Sequence, residues 1–296
     1  MQPSETPIDG RVAEAIRNAL REDIGLGDVT TAATVPPGLM GTGVFLAKAN
    51  GVLSGIDVAA AVFRLIDERL AFETHVRNGM PLLRGMTIAT VRGPVAPMLT
   101  AERTALNFLQ RMSGIATRTA LFVKLVEGTG VRILDTRKTA PGLRLFDKQA
   151  VRDGGGHNHR FGLDDMVLIK DNHIAAAGSL AEAVRRVRER LSPGNPLRVE
   201  VEARTIAEVY EAASCDGIDI IMLDNFPPGT IAQAVRMIRM RKPSVEIEAS
   251  GNVTEQTVRE IAQAGVTSIS VGALTHSVQA LDISFDITLH RDAGDV

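Results

Sequence analysis

A chain of 296 residues with 45% hydrophobic and 23% charged residues is long enough to bury a core in one large domain or two smaller ones. A formal net charge of -2 excludes a general field for nucleic acid or anionic membranes, so any bound anion must be met by local clusters of cations. A single cysteine, Cys215, excludes an internal disulfide, and no run approaches the ~20 apolar residues that span a bilayer.

The opening Met1-Gln2-Pro3-Ser4-Glu5-Thr6-Pro7 carries no apolar signal core, so a cytoplasmic location is expected. With no Trp and one Tyr, a base-stacking surface is not expected either. Residues 10–23 place Val12, Ala13, Ile16 and Leu20 on one helical face. Short strand-like runs come next at 43–48, 71–76 and 87–91, with one helix near 57–68. They are closely punctuated by Gly79, Pro81, Gly85, Gly93 and Pro94, as a mostly antiparallel sheet requires. Two helices are expected at about 99–112 and 114–127, with Gly114 between them.

From about 131 apolar strands recur at 131–134, 166–169, 197–201, 218–223, 245–248 and 267–271. Helical patterns lie between most of them, at 179–191, 205–214, 229–240 and 254–264. Strand and helix alternating in this way means parallel strands with crossover helices. A β/α barrel is the expected architecture, and a doubly wound open sheet is its rival.

Each of these strands ends in a polar cluster. They are Asp135-Thr136-Arg137-Lys138, Lys170-Asp171-Asn172-His173, Asp224-Asn225, Ser250-Gly251-Asn252 and Val271-Gly272-Ala273, while Glu200 and Glu202 lie inside the third strand. In a barrel all strand C-termini open onto one face, where catalytic groups collect. The i, i+2 spacing puts Glu200 and Glu202 on one face of their strand, and buried carboxylates there need a nearby cation. The most cationic stretch, 137–170, includes the loop Gly154-Gly155-Gly156-His157-Asn158-His159-Arg160. A flexible linker is the plain alternative for its glycines, and no completed zinc pattern accompanies its histidines. Arg137, Lys138, Arg160 and Lys170 form a wall for a polyanion. Glu200, Glu202 and Asp224 suit Mg²⁺ carried by a diphosphate. The last turns suit a phosphate held by backbone N–H groups.

Together with Glu102-Arg103-Thr104-Ala105-Leu106-Asn107, Glu22-Asp23-Ile24-Gly25 and Glu248-Ala249-Ser250-Gly251-Asn252, these segments resemble the signatures of the quinolinate phosphoribosyltransferase family, in order from about residue 22 to 276. The resemblance implies an α/β fold: an N-terminal open-faced α/β sandwich over 1–113, to which the tail 277–296 returns, and an incomplete seven-stranded, TIM-like β/α barrel over 114–276. It implies phosphoribosyl transfer from PRPP to quinolinate with decarboxylation, Mg²⁺ entering with PRPP, and no organic cofactor. A homodimer, with a higher oligomer left open, would supply Arg103 to the neighbouring subunit's site; nucleic acid and membrane are not expected partners. Quinolinate carboxylates would meet Arg137, His159, Arg160 and that Arg103, next to Thr136. Lys138 and Lys170 would lie between the substrates, Glu200 and Asp224 would face the ribose hydroxyls and Mg²⁺, and Ser250, Gly251, Asn252, Val271, Gly272 and Ala273 would hold the 5-phosphate. Between Glu200 and Glu202 the ribose position stays open, with Glu200 preferred. A phosphoribosyltransferase for another acid would need fewer cations, and a catalytically silent binding protein would be expected to lose Lys138, Glu200 or Asp224.

Overall fold

The computed structural model describes residues 9–192 and 194–290. Residues 1–8 of the expected N-terminal domain and 291–296 of the expected returning tail lie outside them. The chain divides into two units. One takes the chain up to Arg118, Ala140–Gly155 and the chain from Ser277; the other takes Thr119–Thr139 and Gly156–His276.

The first unit contains β1 (Met40–Ala47), β2 (Gly51–Val52), β3 (Ala71–Thr74), β4 (Pro81–Leu82) and β5 (Thr87–Pro94). Strand β1 pairs antiparallel with β5, which pairs antiparallel with β3, while β2 and β4 form a separate ribbon. The alternation of exposed and buried residues along β1 is the period-2 pattern of a sheet with one covered face. Phe45, Phe63 and Phe72 fill that face with ring centroids 5.8–5.9 Å apart.

The expected pair of helices is one helix, Val95–Leu125. Gly114 does not break it. A Cβ at that position would stand 2.1 Å from the carbonyl oxygen of Gln279, so the glycine serves a close approach of the tail instead of a turn. Backbone propensity alone cannot distinguish these two uses of glycine. A further helix, Arg144–Asp153, belongs to this unit and was hidden in the sequence by its charges. Its Asp147 is fully buried and takes a two-pronged contact from Arg111, Nε to Oδ1 and Nη2 to Oδ2, both at 2.9 Å. Phe146 packs on Phe108 at 4.7 Å between centroids.

The second unit holds six parallel strands: β6 (Arg132–Leu134), β7 (Val167–Ile169), β8 (Val199–Ala203), β9 (Ile220–Asp224), β10 (Glu246–Ser250) and β11 (Ser268–Ser270). After β11 the chain forms β12 (Ile283–His290) in the first unit, antiparallel to β1 from Ala47↔Ile283 to Met40↔His290. The parallel order is β6-β11-β10-β9-β8-β7. From β7 to β11 each strand lies beside its predecessor, and β11 lies beside β6. A doubly wound sheet reverses direction at a switch point, whereas this order runs one way round, as barrel winding does. Six strands make up this sheet, and His157 adds a single parallel bridge to Leu134 on the other side of β6. The crossover helices start where capping chemistry dictates. Ser179 Oγ and Thr205 Oγ1 each accept the backbone N–H three residues on, at 3.2 Å, and Pro228 opens Pro228–Arg241. Among the described residues, no helix is long and apolar enough to cross a membrane.

Substituting Gly114 by alanine is expected to destabilise the protein by about 1–3 kcal/mol, the ordinary cost of overpacking. Thermal unfolding of G114A against the parent checks it, and an unchanged midpoint would remove the close-approach role.

Candidate active site

The C-terminal ends of β6–β10 and the strand β11 surround a cavity of about 400 Å³. Strand β6 ends at Leu134, and the buried Asp135 after it organises the glycine-rich loop. Asp135 Oδ1 accepts the backbone N–H of His159 at 2.9 Å and Oδ2 accepts Nδ2 of Asn158 at 2.5 Å. The backbones of Asp135 and His157 exchange further bonds with their neighbours, Asp135 N to His157 O at 3.1 Å and His157 N to Ile133 O at 2.8 Å. The loop is therefore strapped along β6 and is no free linker. It delivers His159 and Arg160 to the cavity beside Thr136, Arg137 and Lys138.

His159 is oriented from both sides. Its Nδ1 accepts the N–H of Arg160 at 2.8 Å, so the proton sits on Nε2, which faces Glu200 Oε2 at 3.0 Å and Glu248 Oε2 at 3.6 Å. Arg160 Nη1 donates to the carbonyl of Met166 at 3.1 Å. Burial first, and then repulsion from Arg137, lowers the Arg160 guanidinium below its ordinary value.

Across the cavity, β8 supplies an acidic residue already matched by cations. Glu202 is 5% exposed and meets Lys170 Nζ at 2.6 Å and Arg204 Nη2 at 2.9 Å. Arg204 also reaches Asp171 at 2.5 Å and, through Nε, Asp224 at 3.5 Å. Asp224 and the adjacent Asn225 close β9, and Asn225 Nδ2 donates to Asp224 Oδ2 at 2.9 Å.

The turn after β10 is built around one side chain. Asn225 N donates to Ser250 O at 2.8 Å, and Asn252 Nδ2 donates to Asn225 Oδ1 at 3.0 Å. The backbone takes positive φ at Gly251 (88°), Asn252 (51°) and Asn225 (60°). A Cβ on Gly251 would lie 2.1 Å from Asn225 Oδ1, so the carboxamide occupies the space a side chain would need. Turned-out N–H groups of this kind make an anion-binding concavity.

Cations on one wall, a paired acidic wall opposite and an anion-binding turn together suit a small polyanionic substrate pair. Models of the quinolinate phosphoribosyl transferase family match the chain at residues 28–113 (N-terminal domain) and 115–286 (C-terminal domain). The chain belongs to the quinolinate phosphoribosyltransferase family. It is 42% identical over 272 residues to a probable nicotinate-nucleotide pyrophosphorylase [carboxylating] of Bacillus subtilis (strain 168), covering 92% of both chains. It is 46% identical to a quinolinate phosphoribosyltransferase [decarboxylating] of Nicotiana tabacum, over 92% of this chain and 81% of that one. The crystal structure of nicotinate-nucleotide pyrophosphorylase from Ehrlichia chaffeensis superposes with a TM-score of 0.89 at 38% identity, covering 96% of this chain and all of the other.

Within this family member, Thr136, Arg137, Lys138, His159, Arg160, Lys170, Asp224, Ser250, Gly251 and Asn252 all line the cavity. Glu200 does not. The preference for Glu200 over Glu202 is reversed by position along β8: Glu202 lies two residues, about 6.6 Å, nearer the strand's C-terminal end and lines the cavity, while Glu200 is fully buried against His159. Val271, Gly272 and Ala273 are not on the lining either; Ser270 takes that place. Gly272 is instead crowded by Lys138 Cδ and His276 Cδ2, each 3.1 Å from where a Cβ would stand. Arg103 is exposed on Val95–Leu125 in the first unit and does not line the cavity. Sequence reasoning missed Arg204. Its i, i+2 spacing from Glu202 at the end of a strand was the available signal.

Gly251→Ala is expected to raise the KM for the phosphorylated substrate at least about tenfold, by displacing Asn225 and distorting the turn. Steady-state kinetics with each substrate varied checks it, and an equal effect on both substrates would contradict the assignment.

Proposed function

We propose that this chain transfers the phosphoribosyl group of PRPP to quinolinate with decarboxylation, giving nicotinate mononucleotide, pyrophosphate and CO₂ in NAD biosynthesis. The observation that carries the reading is the cavity itself: five cations line it, Arg137, Lys138, Arg160, Lys170 and Arg204, and a glycine turn closes it. That array answers two carboxylates, a diphosphate and a phosphate. A substrate with one carboxylate would leave part of the cationic wall unmatched, which disfavours a phosphoribosyltransferase for a monoacid.

The pyridine nitrogen attacks the anomeric carbon as pyrophosphate leaves through an oxocarbenium-like state. Once alkylated, the cationic ring nitrogen stabilises the electron pair left on the adjacent ring carbon when its carboxylate departs as CO₂, and that carbon then takes a proton from solvent. The protein's part is positioning and charge neutralisation, with no covalent nucleophile. Arg137 and Arg160 hold the quinolinate carboxylates. Lys138 steadies the departing pyrophosphate. Lys170, held by Glu202, stands between the two substrates. Glu202 takes the ribose hydroxyls, the part expected of Glu200. Ser250, Gly251 and Asn252 receive the 5-phosphate. Mg²⁺ enters as part of the PRPP complex, and of the two carboxylates expected to meet it, Asp224 is the one on the cavity wall. No organic cofactor takes part.

The active unit on this reading is a homodimer in which Arg103 of each chain completes the neighbour's quinolinate site. The single cysteine, Cys215, fits work in a reducing cytoplasm.

Purified protein mixed with quinolinate, PRPP and Mg²⁺ is expected to release CO₂ and nicotinate mononucleotide in equal amounts; no CO₂ from folded protein would end the reading. Arg137→Ala or Arg160→Ala should weaken quinolinate binding about 10- to 150-fold, the cost of a lost charge-assisted contact, with a much smaller effect on PRPP. Mixed dimers of Arg103→Ala and Lys138→Ala chains should regain part of the activity that each homodimer lacks. Verified heterodimers that stay inactive would count against the shared arginine.

A further inference from the structure

Beneath the cationic wall lies a group that substrate binding leaves unexplained. Glu200 from β8 and Glu248 from β10 are 0% and 1% exposed, and His159 Nε2 approaches both, at 3.0 Å and 3.6 Å. Among the described residues, both carboxylate oxygens of Glu200 and Oε1 of Glu248 have no hydrogen-bond partner. Two ionised carboxylates this deep would repel each other and lose their hydration, and either effect alone favours a proton on one of them. The single N–H of His159 cannot neutralise both, because its Nδ1 is occupied as an acceptor.

The geometry also selects which carboxylate carries the proton. Glu200 Oε2 is the carboxylate oxygen nearer His159 Nε2, at 3.0 Å, and that approach favours charge on Glu200. Glu248 stands farther off, next to the Ser270 hydroxyl, which reaches Ser250 Oγ at 3.0 Å. The other charged groups acting on the pair are Arg160 of the loop, on Glu200, and Arg132 of β6, on Glu248. Burial first, then the charge of Glu200, pushes the Glu248 carboxyl up to about 8, with His159 opposing.

We propose that Glu248 is a positioning residue that stays protonated in the working enzyme, and that its proton keeps the cavity floor from repelling the carboxylates held by Arg137 and Arg160. His159 then works as a neutral imidazole locked between Arg160 and Glu200. The proposal rests on quinolinate as substrate, and it takes the proton on Glu248 to be a condition of tight binding. A divalent cation is the competing occupant, since the three facing atoms lie within 4.8 Å of one another.

Calorimetric titration of quinolinate from pH 6 to 9.5 tests the effect on binding. Wild-type affinity should fall above pH 8, while Glu248→Gln, which mimics the protonated acid, should not. At pH 9.5 the variant should bind at least about tenfold more tightly than the parent. Glu200→Gln should move the alkaline fall to lower pH, because the charge that helps keep Glu248 protonated is gone. An alkaline fall in E248Q identical to the parent's would overturn the proposal, as would a stoichiometric metal ion found in the purified protein and absent from E248Q.

The proton itself has a separate readout. A carboxyl raised from 4.5 to about 8 on folding makes the folded chain bind more protons than the unfolded chain across that window. Parental stability should therefore decline as pH rises from 4.5 to 8, and E248Q should lack that part of the decline. Superimposable stability curves would refute the proton, whereas failure of the parent to bind quinolinate at any pH would refute the substrate reading. The two failures are thus separable.

Discussion

Strand β8 carries two carboxylates on one face into the interior of a parallel sheet, and the arrangement of the site comes from matching them. An isolated ion there would lose several kcal/mol of hydration, so each glutamate must find a cation, a proton or a donor. Glu202, nearer the strand end, takes Lys170 and Arg204. Glu200, two residues deeper, takes His159. The same requirement explains why Asp135 is buried: it holds the backbone and amide donors that keep the histidine loop against β6. Charge matching at this depth orients Lys170, His159 and Arg160 before any substrate arrives, which is the preorganisation that electrostatic catalysis needs.

The two faces of this arrangement do different work. The upper layer, with Lys138, Lys170, Arg204 and Asp224 around the buried Glu202, is part-exposed and can exchange partners when a diphosphate sugar enters. Ion pairs of this kind hold each other weakly enough to be displaced. The lower layer, with Glu200, Glu248 and His159, is buried, and only His159 and Glu248 reach the cavity lining. Accessible ion pairs above and buried groups below suit a reaction in which one substrate loses pyrophosphate while the other's ring must stay in line for attack.

Much of the site was legible in the residues for a physical reason. Apolar runs alternating with capped helices report parallel crossover structure, and strand C-termini collect polar residues because only there can the chain meet a ligand. That logic located Arg137, Lys138, Arg160, Lys170, Asp224 and the Ser250–Asn252 turn. It failed where a residue's meaning depends on depth or on a distant neighbour. Glu200 and Glu202 are equivalent under a period of two and differ only in distance from the cavity. Gly114 has the signature of a helix break until the carbonyl of Gln279 is seen against it. The helix Arg144–Asp153 buries Asp147 and Lys148, which no periodicity of apolar residues could reveal.

The sequence by itself determined the two styles of chain, the parallel α/β second half and the chemical types gathered at the strand ends, because these depend on local pattern and composition. Tertiary structure alone decided the strand order, the pairing of Glu202 with Lys170 and Arg204, and the burial of Glu200 with Glu248 around one imidazole. Those are long-range events. Arg204 meets Asp171, Glu202 and Asp224 only because β7, β8 and β9 lie side by side, and adjacency of strands is settled by packing and not by the residues of any one segment.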